Sequence, residues 1–182
     1  MRRIVTVLAA IVVVATSAVP LGCGSPGFVD RLRYPLRYEQ IVRAHAKNYD
    51  LDPALLAAVI YTESRFNAQA ESSAGAIGLM QLLPETARGI AIRTGGDAFV
   101  VRDLYEPELN VRYGAWYLRN LLDRYSDEPT ALAAYHAGQG NVDRWREQGV
   151  GIQFPETRDY VDNVEKAKRI YAERYAKELG LS

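Results

Sequence analysis

Glu63 stands where the pattern calls for an apolar side chain. Leu56, Val59 and Ile60 recur at the three- and four-residue spacing of a helix face, and Glu63 continues that face with a carboxyl group. A carboxyl held among apolar groups keeps its proton toward neutral pH and can serve as a general acid beside a cleft. The same pattern also fits a helix that ends at Glu63, with the carboxylate in water. Other chemistries find less support. His45 and His136 are far apart and sit outside any HExxH or cysteine cluster, so no metal site is expected. Ser64, Ser72 and Ser73 lack a GxSxG setting, and Gly75 and Gly78 do not form a phosphate loop. What remains is acid catalysis at a glycosidic bond. Glycosidases ordinarily use two carboxylates, and Glu71 is the nearest later one, in a loop segment where a solvent-facing charge is the better reading. One acid suffices if the substrate supplies its own nucleophile.

The elements that must position Glu63 are helices. Periodicity places a first helix near 36–49 through Tyr38, Ile41, Val42, His45 and Tyr49. Asp52-Pro53 then caps and opens the helix carrying Glu63. From Phe66 to Gly78, small and polar residues break the pattern and predict a loop able to wall a cleft. Pro84 opens a helix toward residue 91, and Thr94-Gly95-Gly96-Asp97 ends that unit. After Glu106-Pro107, the residues Leu109, Tyr113, Trp116, Tyr117, Asn120 and Leu121 share one broad side of a longer helix, expected as the central packing element. A short helix from Pro129 to about Tyr135, a turn at Asn141–Trp145 and a last helix from about Thr157 complete the reading. Val161, Val164, Ala167, Tyr171 and Tyr175 give that helix its core face. No strand alternation, tandem repeat or sustained heptad is evident, so the fold class is mainly α, one globular domain.

Met1-Arg2-Arg3, the apolar run Ile4–Val19 and Pro20-Leu21-Gly22-Cys23 read as an export segment over 1–22. Residues 23–35 read as a tether and 36–182 as the domain. The chain's single cysteine, Cys23, resembles the lipid-modified cysteine of bacterial lipoproteins, although Pro20 stands where such signals usually carry Leu. An uncleaved anchor and plain secretion remain alternatives. Loss of Arg2 and Arg3 shifts the formal charge from zero to minus two, which offers no footprint for nucleic acid.

Four ordered blocks add a family resemblance. They are Glu63-Ser64-Arg65-Phe66-Asn67, Ser73 through Ala87 with its Gly78-Leu79-Met80-Gln81 core, Ala134-Tyr135-His136-Ala137-Gly138, and Glu156-Thr157-Arg158-Asp159-Tyr160-Val161. Together, over about residues 38–175, they resemble the lytic transglycosylases whose domain is related to goose-type lysozyme. The resemblance implies a lysozyme-like fold with a peptidoglycan groove, Glu63 as catalytic acid/base, and cleavage between N-acetylmuramic acid and N-acetylglucosamine with a 1,6-anhydromuramoyl end. It implies no metal or other cofactor. Ser64 is implied to orient the muramoyl acetamido group, or else to bond backbone at the helix end. Gly78 would let the loop approach the acid. Met80 would offer the sugar an apolar contact and Gln81 a polar one. Tyr135 would bond near the acid, and Tyr160 would hold it. His136 occupies a position where the family commonly has Asn. The implied partners are glycan strands of peptidoglycan and, through Cys23, a membrane facing the cell wall, with a partner from the cell-wall machinery left open. A hydrolytic muramidase and a noncatalytic wall-binding protein are the competing readings.

Overall fold

The computed structural model describes residues 31–181. The export segment, Cys23 and the first part of the expected tether lie outside the described residues. Helix α1 spans Glu39–Asn48, α2 Pro53–Ser64, α3 Pro84–Thr94, α4 Pro107–Tyr125, α5 Glu128–Ala137, α6 Gln139–Glu147, α7 Pro155–Arg174 and α8 Ala176–Leu179, with a 3-10 turn at Val101–Tyr105. Proline opens α2, α3, α4 and α7, where its missing N–H costs nothing and its fixed φ suits the first turn. Asp52 and Asp127 accept the N–H groups of Ala54 and Thr130 at 2.8 and 2.9 Å, capping α2 and α5.

The centre of the molecule is α2. Every residue from Ala54 to Ile60 is buried, so this helix is apolar all round and has no wet face. It lies against α7, whose Val161, Val164, Ala167 and Tyr171 are buried as the periodicity predicts, with Tyr160 buried beside them. The central role expected for α4 therefore belongs to α2. On α4 the buried residues include Val111, Ala115, Leu118 and Leu121, while Trp116 and Tyr117 are half-buried and Asn120 is exposed. A smaller apolar cluster, Ile77, Leu82, Ala87, Ile90, Leu104 and Tyr113, builds a second flank from the loop, α3, the 3-10 turn and α4.

Three boundaries differ from the sequence reading. Residues 31–35 are docked rather than free: Tyr34 is buried, and Tyr61, Tyr171 and Tyr175 donate to the carbonyls of Arg33, Pro35 and Tyr34, each at 2.9 Å. The domain thus begins before residue 36. The expected turn at 141–145 is helix α6, because Gly138, at φ 84, ψ 146, ends α5 and a new helix buries Val142 and Trp145. Tyr175 follows α7 as a separate corner before α8. Among the described residues β-type pairing is limited to isolated bridges, Glu71 with Ile77 and Ile77 with Leu82.

Candidate active site

Helix α2 stops abruptly beside Glu63. Arg65 and Phe66 both adopt the left-handed region, at φ 52 and 61, an unfavourable pair for side chains with a Cβ. Burial of Phe66, edge-on to Tyr171 at 6.1 Å between centroids, holds that turn in place. The chain then folds back as the loop 67–83, which lines a cleft together with Glu63 and at Gly78 packs on α4 and the 3-10 turn. Gly78 sits at φ 83, where a Cβ would lie 2.3 Å from both Leu104 O and Asn110 Nδ2. Only glycine fits this approach.

Glu63 opens onto a cleft of about 410 Å³ whose walls are the loop at Ser72, Ala76 and Gln81–Leu83, and α5 with the following bend at Tyr135–Gly138. Thr86 and Tyr117 close one end and are shared with a second basin of about 490 Å³ between α3 and α4. Among the described residues lining the first basin, Glu63 is the single carboxylate. A cavity of about 530 Å³ elsewhere, beside Arg43 and Lys47, holds no acid, and it is the carboxyl group rather than cavity size that locates the chemistry. Glu71, the second acid the sequence offered, is outside the cleft and accepts the Tyr105 hydroxyl at 3.0 Å.

The buried Tyr160 donates to Glu63 Oε1 at 2.7 Å. Burial pushes the Glu63 carboxyl up from 4.5 to about 7, against the lowering effect of that hydrogen bond. The side chain touches the cleft, yet desolvation of the carboxyl dominates. Burial first, and then the neighbouring Glu63 charge, raise Tyr135 and Tyr160 well above the usual phenol range, so both act as neutral donors. One expected outcome follows directly: Tyr160→Phe removes a donor to the ionised acid, and the Glu63 pKa rises further. The alkaline limb of the rate profile then moves to higher pH by roughly one unit, the scale of a hydrogen bond to a charged group. A pH–rate profile checks it; an unmoved limb would show that this contact does not set the acid's proton affinity.

The other sequence-derived residues divide into those that face the cleft and those that hold its wall. Gln81 and His136 line the cleft. Gln81 also spends its amide on the carbonyls of Ala70 and Gly78, at 3.2 and 3.0 Å. Tyr135 lines the cleft as well, but its hydroxyl donates to Met80 O at 2.8 Å rather than to the acid. Ser64 Oγ is shared between Leu79 O at 2.8 Å and Ile60 O at 3.2 Å, so of its two readings the backbone bond is the one formed. Met80 requires a correction. Its side chain is wholly buried, packed where a Cβ on Gly114 would meet its sulfur at 2.2 Å, and it offers no apolar surface to a sugar. Its contribution is the carbonyl that anchors Tyr135.

Two important residues were not singled out from the sequence. Asn110, buried on α4, accepts from Met80 N at 2.8 Å and donates to Ile77 O and Leu104 O at 2.9 and 2.8 Å. It pins the loop over Glu63, and the only signal was a polar residue beside the apolar Val111. Thr157, fully buried in the first turn of α7, lies 3.0 Å from His136 Nδ1. No group of three or more His, Cys, Asp or Glu capable of holding a metal occurs among the described residues.

Among the described residues, the site is a mainly helical fold with a single buried glutamate at a cleft walled by a loop and a helix. The chain belongs to the transglycosylase SLT domain family, whose model matches residues 40–151. It is 43% identical over 103 residues to a transglycosylase of Enterobacteria phage PRD1, covering 57% of this chain and 36% of that protein. It is 33% identical over 144 residues to the soluble lytic murein transglycosylase of Salmonella typhimurium, covering 72% and 22%. Against the membrane-bound lytic murein transglycosylase C of Actinobacillus pleuropneumoniae, identity is 41% over 116 residues, covering 58% and 32%. The chain thus spans between 22% and 36% of the length of these relatives. The fold matches the 70 kDa soluble lytic transglycosylase of Escherichia coli with a TM-score of 0.76 at 27% identity, over 84% of this chain and 26% of that one. The lytic transglycosylase Slt of Pseudomonas aeruginosa matches with a TM-score of 0.74 at 32% identity, over 80% and 25%.

Proposed function

We propose that this protein is a peptidoglycan lytic transglycosylase that cleaves the β-1,4 bond between N-acetylmuramic acid and N-acetylglucosamine, with Glu63 as its one acid/base. The observation that carries the reading is a single carboxyl, raised to about 7, in a cleft lined by no second carboxylate among the described residues. Such a group is poised to donate a proton and then take one back near neutrality. In this scheme Glu63 protonates the bridging oxygen as the bond to the anomeric carbon breaks, with the muramoyl acetamido group assisting. The Glu63 carboxylate then removes the C6 hydroxyl proton while that oxygen bonds to the anomeric carbon. The ring closes on itself, the acid is restored, and no water is consumed. Tyr160 holds the carboxyl in place, and Gln81 and His136 face the bound strand. The Pseudomonas aeruginosa neighbour is an inactive mutant in which a glutamate is replaced by glutamine, a precedent for dependence on such a residue.

Mass spectrometry of purified peptidoglycan digested by the domain tests this. Products ending in 1,6-anhydromuramic acid support it; ends heavier by one water would make the protein a muramidase, and wall binding without any product would make it a scaffold. Export and anchoring through Cys23 belong to the same proposal, supported by relatives named as membrane-bound. Loss of metabolic lipid labelling in Cys23→Ala is the expected result, and retained labelling would reject the anchor.

A further inference from the structure

Thr157 has a buried hydroxyl with one polar neighbour. The residue is fully inaccessible, and within the described part of the protein the hydrogen-bond partner of Oγ1 is His136 Nδ1 at 3.0 Å. A threonine hydroxyl carries one proton and can also accept. If it accepted from Nδ1–H, its own proton would be stranded in a dry site, at the cost of an unmade buried hydrogen bond. If it donates, Nδ1 of the neutral ring is the acceptor, and the ring proton must then sit on Nε2.

The surroundings fix the ring itself. It stacks on Tyr160 with centroids 4.6 Å apart and planes 29° apart, on the tyrosine that donates to Glu63. His136 lines the same cleft as Glu63, and Nε2 has no protein hydrogen-bond partner among the described residues. The ionisable groups around the ring are Glu156 and Tyr160 of α7, Glu63 of α2, and Tyr135 on its own helix. Burial lowers the imidazole below its ordinary value, with Glu156 opposing. A neutral ring is the state the Thr157 proton requires.

We propose that Thr157 is a positioning residue that locks His136 in the Nε2–H tautomer, making Nε2 a hydrogen-bond donor to a carbonyl or carboxylate oxygen on the substituents of the bound sugar. The proposal rests on the glycan-cleaving reading for its ligand and on the Thr157–His136 geometry for its lock. Where an amide side chain would offer donor and acceptor together, this ring is restricted to donation. The ring is therefore selective for acceptor groups such as the acetamido carbonyl and the lactyl-linked carbonyl.

The experiment is nitrogen-15 NMR of the imidazoles at neutral pH in wild type, Thr157→Val and Thr157→Ser, paired with steady-state digestion of peptidoglycan. With two histidines in the sequence, His136→Asn assigns the signals. The Nε2–H form is expected in wild type and in Thr157→Ser. Thr157→Val keeps the volume, loses the lock, shows a mixed tautomer, and lets the imidazole titrate at higher pH. Its KM rises by the inverse of the remaining Nε2–H fraction, about twofold for an even mixture, with kcat changed less. An Nδ1–H wild type, or a tautomer unchanged in Thr157→Val, overturns the lock. A changed tautomer with KM unaltered overturns the substrate role. The NMR arm needs no turnover, so absence of enzymatic activity would bear on the proposed function and leave the lock separately decided.

Discussion

Glu63→Gln abolishes anhydro-product formation and makes the domain more stable above neutral pH. Both results come from the same burial. Glutamine matches the carboxyl in shape and accepts the Tyr160 hydroxyl through its amide oxygen, but it carries no proton that can pass to the bridging oxygen and return. Loss of a general acid lowers the rate by roughly 10²–10⁴. For stability, the folded-state pKa of about 7 lies above the unaltered value of 4.5. The native state therefore binds this proton more tightly than the unfolded chain. Below about pH 4.5 both states are protonated and the group costs nothing. As pH rises toward 7 the unfolded state ionises first, and the native state loses up to about 3 kcal/mol, a penalty that persists at higher pH. A neutral glutamine escapes it. Urea unfolding of both proteins at pH 4.5 and pH 8 should show little difference at the first and a gain of about 2–3 kcal/mol for the variant at the second. Unchanged anhydro-product formation would remove Glu63 from the mechanism. Lost product with no stability gain at pH 8 would leave it as the acid but reject desolvation as the cause of its high pKa.

That penalty is one of several held at the same place. The left-handed Arg65 and Phe66 and the left-handed Gln81, at φ 49, all border the acid, and a buried carboxyl joins them. Strain of this kind persists where surrounding structure over-determines it. Here the buried α2–α7 pair supplies that structure. Phe66 is driven into the core beside Tyr171, and Glu63 is held from α7 by Tyr160. A site tuned in this way trades stability for an acid that stays protonated near neutrality.

The helices were legible because their starts carry Pro and Asp and their buried faces keep a regular spacing. Glu63 was legible for the complementary reason, as a charge that interrupts such a spacing. The prominence given to α4 was misleading: its aromatic stripe is large in area, but Trp116 and Tyr117 border open basins, while the small Ala54, Ala57 and Ala58 let α2 sit deepest. Periodicity assumes a wet side and a dry side, and on a helix dry on all sides a spacing such as Leu56, Val59 and Ile60 has no wet face beside it to report how deep the helix lies. Met80 illustrates a different limit. The block containing it does wall the cleft, but the alternation of the irregular loop turns Gln81 outward and Met80 inward, and no helical or strand period reports that. The docking of residues 31–35 depends on three tyrosine hydroxyls from distant positions, and a Pro-interrupted stretch looks like a linker until those partners are in place. Ser64 and Tyr135 stand out in the sequence, yet their hydroxyls reach backbone carbonyls, Leu79 and Met80 of the loop and Ile60 of α2. Such contacts depend on where a carbonyl points, which side-chain patterns do not encode.

Asn110→Ala is expected to cost about 3–5 kcal/mol, a large share of the 5–15 kcal/mol that typically holds a domain folded. The side chain makes three hydrogen bonds to buried backbone, and its removal strands Met80 N and Leu104 O, while Ile77 O keeps the Leu82 N–H at 3.1 Å. Each such group costs roughly 1–3 kcal/mol when stranded, with relaxation and water entry absorbing part of the sum. Asn110→Asp does not rescue the site, because a carboxylate can still accept from Met80 N but faces the other two carbonyls without a donor. The effect also reaches the chemistry. Asn110 sets the path of residues 77–80, whose Leu79 and Met80 carbonyls receive Ser64 and Tyr135. A loosened loop admits water around Glu63, so the carboxyl's pKa falls back toward 4.5 and the fraction carrying a proton at neutral pH shrinks. In conditions where the variant is still folded, the alkaline limb of its rate profile should move to lower pH, opposite to Tyr160→Phe. Urea denaturation and the pH–rate profile together test this: a stability loss below about 1 kcal/mol, or a limb that stays put, would show that the loop holds its position over the acid without the amide.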